Sequence, residues 1–393
     1  MSDSDYVRNV CYVVSNELVK FSSLLPSNRN RSLLVHSLVK AFGLLDPSAC
    51  NEKTCLHILR PTPAGHKDLL LYHTRDYLEL VLKPNNEHFT HDSNRKAEFG
   101  LEEDCPPFAG LPEYVRLVAG ATLAGLHHAQ KSQASGFCYV ADCILAILAL
   151  KRVQLSSCQP PRKARIMYLD LDLHFSDAVS QAFSSSAHGS SAPQVLTLSI
   201  HYTAPGFFPP SKLAFLPNPE DALFDPFTLS LPLLRGASDA TFARIWPCVE
   251  RIKHAFQPDF LVIQCGVDGL AGDPNMIFNW SLNNSDGSLG WCIKRVCEEW
   301  RCPTLFLGGG GYNSANTSRA WTYLTSLALG RELSADAYIP EHPAFPTYAP
   351  SFTLDVPPGT MQDQNTDGYL AEVDTCFRRI SDIIVERMSF TTE

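Results

Sequence analysis

The chain has 393 residues, 45% hydrophobic and 19% charged, which is enough to build one large α/β domain or two ordinary ones. A net charge of -9 gives no phosphate-binding field and argues against direct nucleic-acid binding; such a surface keeps a protein soluble and also suits a cationic partner such as a lysine-rich tail. Thirteen scattered cysteines without a CxxC exclude a disulfide framework and a structural zinc module, and they fit reduced thiols in a cytosolic or nuclear protein. No secretory signal is expected, and the longest apolar run, 143–150, is too short to span a bilayer.

In chain order, prolines and a glycine predict an irregular loop over 101–112, and a helix follows at 142–152. A second loop is expected at 156–163, before an apolar, β-branched strand over 164–173. A Ser-rich loop at 184–193 precedes a strand at 195–200. Helical patterns at 239–255 and 289–300 then alternate with strands at 259–265 and 304–307. A proline-rich coil at 340–358 leads to a last helix near 370–387. This alternation predicts a mainly parallel central sheet with helices on both faces, in which ligands bind beyond the carboxyl ends of the strands.

Four motifs stand out, three of them at such ends. Asp170, Asp172 and His174 close the strand IMYLDLDLH, and on a strand they share one face, where burial demands a cation or hydrogen bonds; a solvated edge strand is the plainer reading. Asp268 follows the strand DFLVIQCGV. Alone it could cap a helix, but with Asp172 and His174 it completes a three-ligand site with one open position, the pattern of catalytic zinc. His127-His128 could act as base and acid if carboxylates such as Asp170 and Asp177 tuned them apart; a lone histidine is more often a core residue. Gly308 to Gly311 let backbone approach a ligand closely, with Tyr312 placed to donate to an oxyanion. The competing phosphate loop lacks GK[ST], and a flexible turn with a packing tyrosine is the bland alternative.

At these motifs the chain resembles the zinc-dependent histone deacetylase family, class I, in a fungal-type or subtype-eight-like branch. The strings are HHAQKSQASGFCYVADCILAIL, YLDLDLHFSDAV, SIHYTAPGFFP, CGVDGLAGDP and LGGGGYNSANTSRAWTYLT, with Arg31 to Leu38 and Tyr72-His73 near the N-terminus. The resemblance implies a single arginase/deacetylase-like catalytic domain over 8–390. It implies hydrolysis of N6-acetyl-lysine in histones or other proteins, with release of acetate and a link to chromatin and transcription. It implies catalytic zinc on Asp172, His174 and Asp268, and an acid–base system of His127 and His128 oriented by Asp170 and Asp177. Tyr312 would stabilise the oxyanion. Phe137 and Phe208 would wall the acyl-lysine tunnel, with Gly136 at its floor and Asp104 gripping substrate backbone at the rim. Arg31 would lie by an internal acetate channel. Structural potassium would sit on the carbonyls of Asp170, Asp172, His174 and Ile200 with the Ser199 hydroxyl. Acetylated histone tails or other acetyl-lysine proteins are the implied partners, with corepressor complexes besides; the nucleus is the implied compartment, with the cytoplasm second. Neither nucleic acid nor membrane is expected as a direct partner.

The chain departs from the family's pattern. Between Thr122 and His127 roughly twenty residues are absent, the length of a three-turn helix plus one strand, and that strand delivers the histidines. The expectation is that either the preceding loop bends to substitute, or the pair is misplaced and the sheet keeps an uncovered edge, and that this chain is destabilised and has little activity. Phe175-Ser176, Ala141 and Asn275 also differ from the usual residues. Competing functions are a ureohydrolase, which needs a second metal, an acetylpolyamine hydrolase, which shares the zinc chemistry, and a catalytically impaired scaffold.

Overall fold

The computed structural model describes residues 7–46, 54–83, 93–121, 125–156, 161–184, 194–283 and 285–389. Among these the strands are β1 (Arg8–Val13), β2 (Thr54–Leu59), β3 (Gln154–Leu155), β4 (Arg162–Lys163), β5 (Ile166–Asp170), β6 (Val195–Tyr202), β7 (Thr228–Leu233), β8 (Phe260–Gln264) and β9 (Thr304–Leu307). Five of them form an all-parallel sheet in the order β7-β6-β5-β8-β9. The strands are apolar on both sides because both sides are covered. β5 is buried throughout, and β6 everywhere except its last residue. Alternate residues feed opposite cores: Met167 and Leu169 pack with the helices Asp239–Phe256, Leu289–Glu299, Ser314–Ala328 and Asp367–Ser389. Ile166 and Tyr168 pack with Arg75–Val81, Leu111–Ala121, Asp142–Leu150 and Asp177–Phe183.

The expected sheet is therefore present, with differences of detail. β5 stops at Asp170 instead of running to 173. β7 was not foreseen, because Pro232 interrupts TLSLPL; it lies at the sheet's edge, where a strand lacking one donor is tolerated. The loop expected at 156–163 contains Arg162–Lys163, which pairs antiparallel with Gln154–Leu155. Residues 157–160, and 185–193 of the Ser-rich loop, lie outside the described residues. The loop at 101–112 ends two residues early, since the helix Leu111–Ala121 has begun.

The shortened region leaves its mark. Thr122, Leu123 and Ala124 lie outside the described residues, and the chain re-enters at Gly125 as a loop. Among the described residues β1 and β2 form a parallel pair of their own, and β9 is the last strand of the five-stranded sheet, paired with β8. Arg8 ties the small pair to the body through the carbonyls of Cys297 (2.8 Å), Ala328 (3.3 Å) and Leu327 (3.4 Å).

The chain's end is stapled to its middle. The helix Asp367–Ser389 packs on Asp239–Phe256. Just before it, Asp363 Oδ2 accepts from Ser238 N (3.1 Å), Ser238 Oγ (2.8 Å) and Thr241 Oγ1 (2.5 Å), and so caps the helix that starts at Asp239. Ser238 itself makes no side-chain cap.

Candidate active site

β5 and β8 are neighbours, so their carboxyl ends place Asp170 beside Gln264 and bring Asp268 to the residues after β5. There the ladder gives way to a bend, because carboxylates take the amides a strand would use. Asp172 N donates to Asp170 Oδ1 (3.0 Å), Leu173 N to Asp268 Oδ1 (2.9 Å) and His174 N to Asp172 Oδ1 (3.1 Å). Leu171 and Leu173 still turn into the core.

The bend gathers one ligand atom each from Asp172, His174 and Asp268 within 4.8 Å of one another. His174 Nδ1 lies 2.8 Å from Asp268 Oδ2 and 3.3 Å from Asp172 Oδ1. Asp172 and Asp268 are almost wholly buried. Burial and the Asp172 charge raise the Asp268 carboxyl, whereas the neighbouring histidines hold Asp172 low, so the two buried carboxylates draw on the same positive partners. Two carboxylates and one imidazole at this spacing fit a tetrahedral ion with an open position. The glycine run serves the same centre: Gly310 N donates to Asp172 Oδ2 (2.7 Å), and a Cβ on Gly310 would lie 2.5 Å from Asp268 Cγ.

Both histidines reach this centre. His127 Nδ1 is 2.7 Å from Asp170 Oδ2, His128 Nδ1 is 2.7 Å from Asp177 Oδ1, and the two rings are 4.1 Å apart. Of the two expectations, the misplaced pair is not what the structure shows: Gly125 and Leu126 lead directly into histidines seated on Asp170 and Asp177. Their environments drive them apart. Burial opposes charge on His127, but Asp170 and Asp172 together outweigh it and hold the imidazole up to about 9. His128 is lowered to about 4, by burial first and then by the His127 charge.

Around the centre, Phe208 lies 4.9 Å from the His128 ring and 6.3 Å from that of His174, on which Phe207 stacks at 5.1 Å. Phe137, in a left-handed conformation (φ 63°), faces Tyr312 at 5.6 Å. Gly136 fills the space between His128 and Phe208, and its amide donates to the exposed Asp104 (3.2 Å). Tyr312 is held by its amide on Asp273 Oδ2 (2.7 Å). Burial, then the Asp268 and Asp172 charges, keep its hydroxyl protonated. Arg31 donates to Gly311 O (2.8 Å) and stacks over Trp321.

Some contributors escaped the motif reading. Tyr168 donates to Asp170 Oδ2 (2.5 Å), Gln130 to Asp177 Oδ2 (3.1 Å) and Gln264 to Asp172 Oδ2 (2.9 Å). Tyr168 precedes Asp170 by two on one strand, a spacing that could have flagged it; nothing local marks the two glutamines. Among the departures, Ala141 N donates to His73 Nε2 (3.0 Å), Phe175 packs on His201, and Asn275 Nδ2 is buried without a partner.

A family profile described as Histone deacetylase domain matches residues 123–328. Histone deacetylase 8 of Danio rerio is 33% identical over 390 residues, covering 94% of this chain and 94% of its own length. The chain belongs to the histone deacetylase family. Histone deacetylase 8 of Xenopus tropicalis is 34% identical over 382 residues, covering 92% of this chain and 95% of its own length. Histone deacetylase 1 of Homo sapiens is 30% identical over 387 residues, covering 93% of this chain and 73% of its own length. Within the histone deacetylases the chain is class I and subtype-eight-like, with the arginase/deacetylase α/β fold, and it is a hydrolase of the deacetylase type.

Proposed function

We propose that this histone deacetylase hydrolyses N6-acetyl-lysine in histones or other proteins and releases acetate, with one zinc ion held by Asp172, His174 and Asp268. The observation that carries this reading is the convergence of those three ligands beside the His127–Asp170 and His128–Asp177 pairs. When bound, the ion polarises the acetyl carbonyl and acidifies a water.

The chain's own groups do the rest. The Nδ1 bond to Asp177 leaves Nε2 of neutral His128 as the proton acceptor, so His128 takes the proton of the attacking water. Water oxygen adds to the carbonyl carbon, and the Tyr312 hydroxyl donates to the oxyanion that forms. The C–N bond then breaks, and His128 returns its proton to the departing lysine amine. His127, bonded through Nδ1 to Asp170, stands beside the His128 ring and adds a polar partner next to the developing negative charge. Phe137 and Phe208 offer apolar walls to a neutral acetyl-lysine stem, Gly136 leaves it room, and Asp104 accepts from substrate backbone at the rim.

Structural potassium on the carbonyls of Asp170, Asp172, His174 and Ile200 with Ser199 Oγ belongs to the same reading, as do acetylated histone tails as partners, corepressor assembly, and action in the nucleus and cytoplasm. The test is turnover of an acetyl-lysine peptide by the zinc-loaded chain, with and without a chelator. Chelator-sensitive release of acetate is expected. Zinc bound without turnover would reduce the chain to a deacetylase-fold scaffold.

A further inference from the structure

Gln264 ends β8 with its side chain fully buried, and its amide joins three parts of the site. Oε1 accepts from Gly266 N (2.7 Å), which settles which end is oxygen. The two Nε2 hydrogens then meet two acceptors, Asp172 Oδ2 at 2.9 Å and Gly125 O at 3.1 Å. Gly125 opens the short loop that carries His127 and His128. On the loop's other side, the Asp142 carboxylate receives Leu126 N (2.7 Å) and Gly125 N (3.2 Å). Gly125 has φ 63°, and a Cβ there would lie 2.0 Å from Gly308 O, so the loop is seated against the end of β9 as well.

The loop therefore hangs on side chains where the family uses a strand, and one of them also holds a carboxylate of the ion's site. Resting on the zinc reading above, we propose that Gln264 is a positioning residue that couples the histidine loop to Asp172, so that holding the ion and aligning His127 and His128 are one cooperative event. Asp172 would hold the ion and at the same time accepts from the Gln264 amide, which in turn donates to the Gly125 carbonyl, so an ion that orders Asp172 would order the loop through Gln264.

Zinc affinity and amide exchange across residues 125–128 read this coupling without turnover. In the unaltered chain, zinc is expected to slow exchange at those amides. In Gln264→Met, which keeps length but no donor, zinc affinity falls by about 10–100-fold, as for other groups that orient a metal ligand, and zinc no longer slows exchange. Asp142→Asn loosens the loop from its far side; it is expected to weaken zinc binding when Gln264 is present and to leave it unchanged in the Q264M background. Additive effects of the two substitutions, or equal protection by zinc in Q264M, overturn the proposal. If Q264M does not fold, Gln264→Glu keeps the shape and the Gly266 contact and serves the same comparison. Failure of the unaltered chain to hydrolyse acetyl-lysine would sink the proposed function and leave both readouts intact.

Discussion

His128 Nδ1 sits 2.7 Å from Asp177 Oδ1, while the other Asp177 oxygen receives Gln130 Nε2 at 3.1 Å. The carboxylate is thus held from two sides, and it fixes the imidazole through Nδ1, leaving Nε2 free of Asp177. His128→Ala is expected to lower kcat by about 10²–10⁴, with zinc content unchanged by metal analysis. Asp177→Asn should act in the same direction and less severely. Full turnover by His128→Ala would take it out of the proton path.

In the proposed mechanism Tyr312 contributes only when negative charge develops on the carbonyl oxygen. Tyr312→Phe should cut kcat by about 10²–10³ while KM and zinc affinity stay within about twofold. A variant that binds zinc and turns over normally assigns oxyanion stabilisation to another donor.

Acid should destabilise the fold through two histidines away from the ion's site. Burial lowers both His36 and His73 to about 4. His36 Nδ1 accepts from Tyr12, and His73 bridges Lys131 O and Ala141 N, so each is seated as the neutral ring. Their folded values lie below the unfolded 6.5, so the unfolded chain takes up protons first. Stability is then full above pH 6.5 and falls as pH drops toward 4, by on the order of 3 kcal/mol per imidazole. Melting temperatures measured from pH 4.5 to 7.5 should show this slope, and His36→Gln should flatten it. A profile unchanged by that substitution removes His36 from the account.

Among the described residues β9 ends the five-stranded sheet, so a further strand would have a place to pair. Inserting a helix–strand segment of family length between Ala121 and Gly125 is expected to raise the melting temperature by several degrees and suppress aggregation on heating. Side-by-side melts and light scattering decide this. An insertion that leaves both unchanged shows that the edge is harmless as it stands.

Much of this centre was readable because its parts are local strings at strand ends. Asp172, His174, Asp268 and Tyr312 each follow an apolar run, and parallel sheets put such positions together. The bend after Asp170 was not readable, because the amides of Asp172, Leu173 and His174 are captured by carboxylates, one of them Asp268, 95 residues from Leu173. Nor was the survival of the histidine pair. Counting residues exposes the absent strand, but its replacement depends on Asp142 and Gln264, which meet Gly125 from 17 and 139 residues away. β7 was hidden by Pro232, whose cost depends on sheet order, which pattern alone does not reveal.

The cap that Asp363 places on the helix Asp239–Phe256 has a consequence for biosynthesis. The first turn of that helix finds its acceptor 125 residues downstream of Ser238. On a ribosome adding 5–20 residues per second, Asp363 follows by roughly 6–25 s. β6 and β7 are already made when that delay begins and β8 follows early within it, yet the helix that covers them lacks both its cap and its neighbour Asp367–Ser389. The nascent chain therefore passes through a stage with one face of its sheet incompletely covered, and chaperones that shield apolar surface should engage it then and release it once the last helix docks.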